Sequence, residues 1–330
     1  MARPNLFEYA TSELSQDAML CWLAAWASPE AAAEDEHLHA LGVQFLAALL
    51  EVHGRPTLDV SSLEVRRQYQ NIDVLLIINS RLAVCIEDKI GSTEHSNQLA
   101  RYVERLAADG FAPEDIVPVY VQTFEQGTYT AVKAAGYAPV SRKRLLAILG
   151  PYVTSPGANA IARDFHDRLT NVDREVESFR NQPLAQWTRL AWQGFYCELQ
   201  AKLLDGKWGY VANPAGGFQG YWWHVKKTLG CNQYLQLEEG TLCFKISVEQ
   251  PESRAGFRDR SHARLLEEGR KHGLNVIRPR RLGLGQTMTV AVLDADYRLT
   301  DERGHLDVDA TVARLRNAEA VLDKAVANVA

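Results

Sequence analysis

The chain has 330 residues, 46% of them hydrophobic and 23% charged, with a formal net charge of −5. These are ordinary values for a soluble globular protein of one large or two modest domains, and they exclude a disordered chain, a collagen-like repeat and a disulfide miniprotein. No apolar run reaches the roughly 18 residues that a membrane span needs.

Five cysteines (Cys21, Cys85, Cys197, Cys231, Cys243) are scattered without CxxC or zinc-ligand spacing, which points to free thiols in a reducing cytoplasm. The opening nine residues turn acidic too early for a secretory signal.

In chain order, Leu14, Met19, Leu20, Trp22, Leu23 and Trp26 recur at helical spacing and predict a helix over 12–26, with Ser12 as N-cap and Ser28-Pro29 closing it. A second amphipathic helix is expected over 36–53. Segments 63–69, 72–79, 82–88 and 116–122 are short, rich in Val, Ile and Leu, and punctuated by Asn71, Asn79-Ser80 and Gly91, so they read as strands. Asn79-Ser80 has the chemistry of a two-residue hairpin turn. Segment 94–109 returns to helical spacing through Leu99, Tyr102, Val103 and Leu106. The order α, α, β, β, β, α, β is that of an α/β sandwich of about 150 residues. Strands 72–79 and 82–88 are apolar at nearly every position, so both sheet faces should be covered.

Pro151 to Gly157 reads as a loop and as the boundary between domains 1–150 and 151–330. The second half reads as α+β: helices at 158–178 and 184–205, an antiparallel meander over 220–225, 233–237 and 241–248, a helix over 259–272, strands near 275–282 and 287–293, and a last helix over 307–327. The charge is uneven. Residues 1–150 carry 12 Lys/Arg against 19 Asp/Glu, whereas 151–330 carry 24 against 22. Within the latter, 251–281 holds nine basic residues, among them Arg278, Arg280 and Arg281, against four acidic ones. Such a stretch suits either phosphate contact or a solvated helix face.

The chemistry concentrates in one window. Asp73 stands at the start of one predicted strand, and Glu87 and Lys89 at the end of the next. Side chains alternate along a strand, so Glu87 and Lys89 share a face while Asp88 points away. A hairpin brings Asp73 across from them, so two carboxylates and an ammonium converge at one end of an apolar sheet. Ionised carboxylates buried there need a compensating cation, and an all-oxygen donor set suits Mg²⁺. Other readings find less support. No GxSxG or Gly-rich phosphate loop is present, His37-Leu-His39 lacks a partner, His95 is a lone loop histidine, and the alternation of Tyr221-Trp-Trp223 assigns at least one of these rings to the core.

Asp73, thirteen residues, then Glu87-x-Lys89 resembles the PD-(D/E)XK nuclease superfamily. The element order, an acidic residue (Glu13) in the preceding helix and Gln98-Leu-Ala-Arg-Tyr102 in the helix after the third strand extend the likeness to RecB-like and Cas4-like members with a QxxxY motif. Residues 5–27 also resemble the opening of a bacterial branch, so the likeness covers about 5–150. The proline of the motif's name is replaced by Ile72. The resemblance implies a restriction-endonuclease-like α/β/α sandwich with a C-terminal α+β domain for substrate engagement or homo-oligomerisation. It implies a Mg²⁺-dependent enzyme, with Mn²⁺ able to substitute, that hydrolyses DNA phosphodiesters in bacterial defence or repair.

By that likeness Asp73, Glu87, the carbonyl of Asp88 and Glu13 hold the metal, with Asp17, one turn on from Glu13, as the alternative. Lys89 orients or activates water, and Gln98 and Tyr102 brace the site or touch the substrate. Two other classes share these residues: a nuclease-fold binding or assembly protein without turnover, and a ribonuclease. An intact Asp73, Glu87, Lys89 set argues against the first, and substrate tests separate the second.

Overall fold

A computed structural model of the chain describes residues 3–56, 58–92, 97–213 and 216–327. The chain divides into two compact units, Met1–Arg174 and Glu175–Ala330.

The first unit opens with helices α1 (Glu13–Ala25) and α2 (Glu36–Glu51). Ser12 caps α1 by accepting from Ser15 N at 3.2 Å, and Asp35 caps α2 through Leu38 N at 2.9 Å, contacts worth about 1 kcal/mol each. The two helices cross closely at Gly42, where a Cβ would lie 2.6 Å from Ala27 N. Leu14, expected on the apolar band of α1, is 54% exposed; it sits in the first turn on the outward side, next to Glu13.

Strands β1 (Leu63–Tyr69), β2 (Ile72–Ile78), β3 (Leu82–Lys89), β4 (Ile116–Gln122) and β5 (Ala138–Ser141) form one sheet in the order of their numbering. β1, β2 and β3 pair antiparallel, and β3, β4 and β5 parallel. Helix α3 (Gln98–Ala108) makes the β3–β4 crossover. Helices α4 (Thr130–Ala134), α5 (Arg142–Val153) and α6 (Ala160–Glu177) complete the set.

Alternation sorts the sheet residues between two cores. Val74, Leu76, Val84, Ile86, Val119 and Val121 share one core with Leu20, Phe45, Leu149 and Phe165 of the α1, α2, α5 and α6 layer. Leu75, Ile77, Ala83, Cys85 and Tyr120 share another with Leu99 and Leu106 of α3 and Val132 of α4. The result is an α/β/α sandwich with β3 central and buried at all its positions. Each such aliphatic side chain contributes about 1.5–3 kcal/mol by leaving water.

Several expectations for this unit change. Pro151 lies inside α5, in its last turn, so 151–157 is not a loop from its first residue. The compact unit also continues to Arg174, because Ala162, Phe165 and Leu169 of α6 fill the α1-side core. Helix α3 begins at Gln98; residues 94–96 and His95 lie outside the described residues. Finally, Ile78 pairs with Leu82, so the β2–β3 loop holds Asn79, Ser80 and Arg81 rather than two residues. Asn79 and Ser80 both take a left-handed φ of 53°, as in the centre of a type I′ turn, and Arg81 N donates to the Ile78 carbonyl at 3.1 Å.

The second unit has helix α7 (Arg189–Lys202) and an antiparallel sheet of β6 (Lys207–Val211), β7 (Phe218–Thr228), β8 (Cys231–Glu238) and β9 (Thr241–Ser247), followed by helix α8 (Arg254–Lys271), β10 (Val276–Ile277), β11 (Thr287–Leu293) and a terminal helix α9 spanning Val308–Ala327. The order across the sheet is β10-β11-β9-β8-β7-β6. Tyr221 and Trp223 join its core with Phe195, Tyr196 and Leu315, which takes both rings away from any ligand; Trp222, on the other face, is half-buried. α8 starts five residues earlier than the expected 259, and the strand near 275–282 is only Val276–Ile277, since Pro279 has no N–H to give a ladder. No helix among the described residues is long and apolar enough to cross a membrane. The five cysteines are free.

Candidate active site

The first unit gathers its charged groups at one end of β2 and β3. In the observed register Val74 pairs with Ile86, so Asp73 stands opposite Glu87. Glu87 and Lys89 share the α3 face with Ala83 and Cys85, and Asp88 faces α1 with Val84 and Ile86, as alternation requires.

Lys89 Nζ lies 2.5 Å from Glu87 Oε1 and 3.8 Å from Asp73 Oδ2, and it donates to the Asp88 carbonyl at 3.2 Å. The main-chain N–H of Asp88 donates to Asp73 Oδ2 at 2.9 Å. One ammonium therefore occupies the point on which two carboxylates and a carbonyl converge. From α3, Gln98 Nε2 donates to Glu87 Oε1 at 2.9 Å and to the Tyr102 hydroxyl at 2.6 Å; Asn97 ahead of it takes a left-handed φ of 54° to start the helix there.

From α1, Glu13, Gln16 and Asp17 reach the same end of the sheet, three and four residues apart and so on one helix face. Glu13 Oε1 accepts from Ile90 N at 3.2 Å and from Ser92 Oγ at 2.6 Å. Asp17 is buried and accepts from Gln68 Nε2 at 2.8 Å, and that amide also reaches Asp73 Oδ1 at 3.1 Å. Gln16 Nε2 donates to Asp88 Oδ1 at 2.6 Å.

The electrostatics are those of a crowded acidic site. Burial, then the neighbouring Asp73, push Glu87 up to about 7, against the pull of Lys89. Burial and Asp73 likewise push Asp17 up to about 6. Asp88 is driven well above the usual carboxylate range, first by burial, with Asp17 and Asp73 adding to it. For Lys89, burial works against the ammonium, but Glu87 and Asp73 outweigh it and its pKa is raised. The lysine thus stays charged while its acidic neighbours compete for protons.

Among the described residues, no three His, Cys, Asp or Glu side chains form a ready-made cation site. The donor set nevertheless suits a hard divalent cation. Its oxygens come from two carboxylates and a main-chain carbonyl, and Glu87 Oε2 is buried and accepts no hydrogen bond from the described residues, an orphan that a cation would satisfy.

Strand alternation and the hairpin bring Asp73, Glu87 and Lys89 together from sequence, and the family likeness adds Gln98 and Tyr102; the structure places all five at one end of the sheet. Sequence reasoning missed Gln16, Gln68 and Thr123, whose hydroxyl donates to Gln16 Oε1 at 2.8 Å. Gln16 was findable one turn from Glu13. Gln68 faces Asp73 only through the β1–β2 register, which pairs Arg67 with Val74 and Tyr69 with Ile72. Arg278, Arg280 and Arg281 lie in the second unit and are exposed. Elsewhere in the basic segment Arg258 pairs with Asp259, and Lys271 with Glu267 and Glu268.

A mixed five-stranded sheet thus lies between helical layers, with Asp73, Glu87 and Lys89 meeting at the ends of adjacent strands. The sequence model of the PD-(D/E)XK nuclease superfamily matches residues 5–183. The chain belongs to the PD-(D/E)XK nuclease superfamily, whose members generally use divalent metals. No curated protein and no solved structure matches the chain.

Proposed function

We propose that the protein is a Mg²⁺-dependent deoxyribonuclease that hydrolyses phosphodiester bonds at the Asp73, Glu87, Lys89 centre. The observation that carries the reading is the convergence of the Asp73 and Glu87 carboxylates and the Asp88 carbonyl on Lys89 Nζ, beside a buried and unsatisfied Glu87 Oε2.

Asp73, Glu87 and the Asp88 carbonyl would hold Mg²⁺, or Mn²⁺ in its place, with Glu13 completing the set and Asp17 the other acid on that helix face. The cation would offset charge on the phosphate and acidify a water. Lys89, its ammonium kept charged by Glu87 and Asp73, would orient the attacking water and stabilise charge growing on the non-bridging oxygens. Gln98 would hold Glu87 in place from the α3 side, and Tyr102, bonded to the same amide, would brace Gln98 or touch the substrate strand. Below about pH 7 for Glu87 and about pH 6 for Asp17 a proton would have to leave for the carboxylate to bind a cation, so cation binding there would be coupled to proton release.

The second unit would serve substrate engagement or self-assembly, and Arg278, Arg280 and Arg281 would meet phosphates there. Cleavage of foreign DNA, or processing of DNA in repair, is the setting this chemistry suits. The test is incubation of linear and closed-circular DNA, and of RNA, with Mg²⁺ or Mn²⁺, with EDTA and Lys89→Met as controls. Metal-dependent cutting of DNA that is lost in the variant supports the reading. Cutting of RNA alone changes the substrate. No cutting of either, together with no metal binding by calorimetry, removes the enzymatic reading.

A further inference from the structure

We infer that Gln16 is a positioning residue for the hydrolytic centre: it clamps the Asp88 side chain on the α1 face of the sheet and so fixes the main-chain N–H and carbonyl by which Asp88 meets Asp73 and Lys89. The inference rests on the metal-dependent reading above.

Asp88 stands between Glu87 and Lys89, and its main chain touches Asp73 and Lys89: its N–H donates to Asp73 Oδ2 at 2.9 Å, and its carbonyl accepts from Lys89 Nζ at 3.2 Å. A residue in a strand has its peptide and side-chain directions coupled, so a fixed Asp88 side chain sets where that carbonyl points. Gln16 supplies the fixed point at 2.6 Å.

The Gln16 amide is itself held at its other end. Its Oε1 accepts from Thr123 Oγ1 at 2.8 Å, just past the end of β4. The Thr123 carbonyl accepts from Arg142 Nη1 at 2.7 Å, and Arg142 is held in turn by Glu125 at 2.8 Å and Asp173 at 2.9 Å. Gln16, Thr123 and Arg142 are all buried. The chain of bonds thus runs from α5 and α6 through the end of β4 and α1 to β3, in an interior where such bonds are strong and their geometry is locked by packing. The sandwich thus sets the position of the Asp88 carbonyl through bonds that begin outside β3.

The test is Mn²⁺ titration calorimetry on the full chain, with circular dichroism and thermal melts to verify the fold. Gln16→Met removes both bonds at similar volume, and Thr123→Val removes only the hydroxyl that orients the amide. Each is expected to weaken Mn²⁺ binding by about 10–100-fold, the usual loss when a residue supporting a metal ligand is changed, with Thr123→Val nearer the lower end. Thr123→Ser, which keeps the hydroxyl, is expected to restore wild-type affinity. Unchanged Mn²⁺ affinity in folded Gln16→Met or Thr123→Val overturns the inference even if the melting temperature drops, because a merely structural contact would move only the latter. If the wild-type chain binds no Mn²⁺, the metal-dependent reading fails and the inference with it, and that outcome is read from the wild type alone.

Discussion

Lys89 Nζ stands 2.5 Å from Glu87 Oε1, so two residues separated by one position on a buried strand meet inside the sandwich. Neither would be tolerated there alone, since an unpaired buried charge costs several kcal/mol. The pair also fixes the charge pattern of the site, because the ammonium sits where the Asp73 carboxylate and the Asp88 carbonyl point.

In the proposed mechanism Lys89→Met removes the ammonium that would orient the water and meet the phosphate. Loss of a preformed electrostatic interaction of this kind costs about 10²–10³ in rate, so single-turnover cleavage of plasmid DNA is expected to fall at least about 100-fold. Mn²⁺ binding should persist, because the oxygens that would hold the metal remain.

The metal-free protein should lose stability as pH rises. With Glu87 at about 7, against an ordinary 4.5, the folded chain binds a proton between those values that the unfolded chain has released. Asp17, at about 6 against 3.8, acts in the same direction. The contribution is therefore fully present below the unfolded values and fades as pH passes through about 6–7. Thermal melts in EDTA should show the melting temperature falling between pH 5 and pH 8, with a shallower fall in Glu87→Gln and recovery of the wild type on adding Mg²⁺. A melting temperature that rises across that range in EDTA would contradict the assignment.

Arg142→Met should destabilise the first unit. The guanidinium is buried and holds Glu125, Asp173 and the Thr123 carbonyl together. The two carboxylates are 27% and 32% exposed, so water takes up part of the loss. The expected cost is about 2–3 kcal/mol, below the roughly 3–5 of a fully buried pair, and urea unfolding followed by far-UV circular dichroism measures it.

Reversing Arg278, Arg280 and Arg281 to Glu should weaken DNA binding and flatten its salt dependence by about 0.9 in log–log slope for each phosphate no longer neutralised. Fluorescence anisotropy with a short duplex at several salt concentrations reads both. If affinity and slope stay unchanged, these arginines belong to a solvated surface and not to the DNA interface.

Much of this architecture was written in local patterns. Strands 63–69 and 116–122 and the capped helix after Ser12 follow from apolar periodicity and punctuation, which act over a few residues and need no partner. What lacked a local signal was harder to read. The short β5 has only four residues, and Pro151 lies within the last turn of α5, where a residue with no N–H to give an i−4 carbonyl reads as a helix break.

The pairing of Glu87 with Lys89 was determined by the sequence alone, because alternation along a strand is a property of the backbone. Which residue faces Glu87 from β2 was not. A two-residue Asn79-Ser80 loop would pair Ile78 with Arg81 and set Asp73 opposite Ile86. The three-residue loop pairs Ile78 with Leu82 and sets Asp73 opposite Glu87. A shift of one residue turns every side chain to the other face, so only burial of the whole strand between two helical layers decides it. The same holds for Gln16, Gln68 and Thr123: their roles depend on contacts between segments far apart in sequence, which packing of the sandwich brings within hydrogen-bond reach.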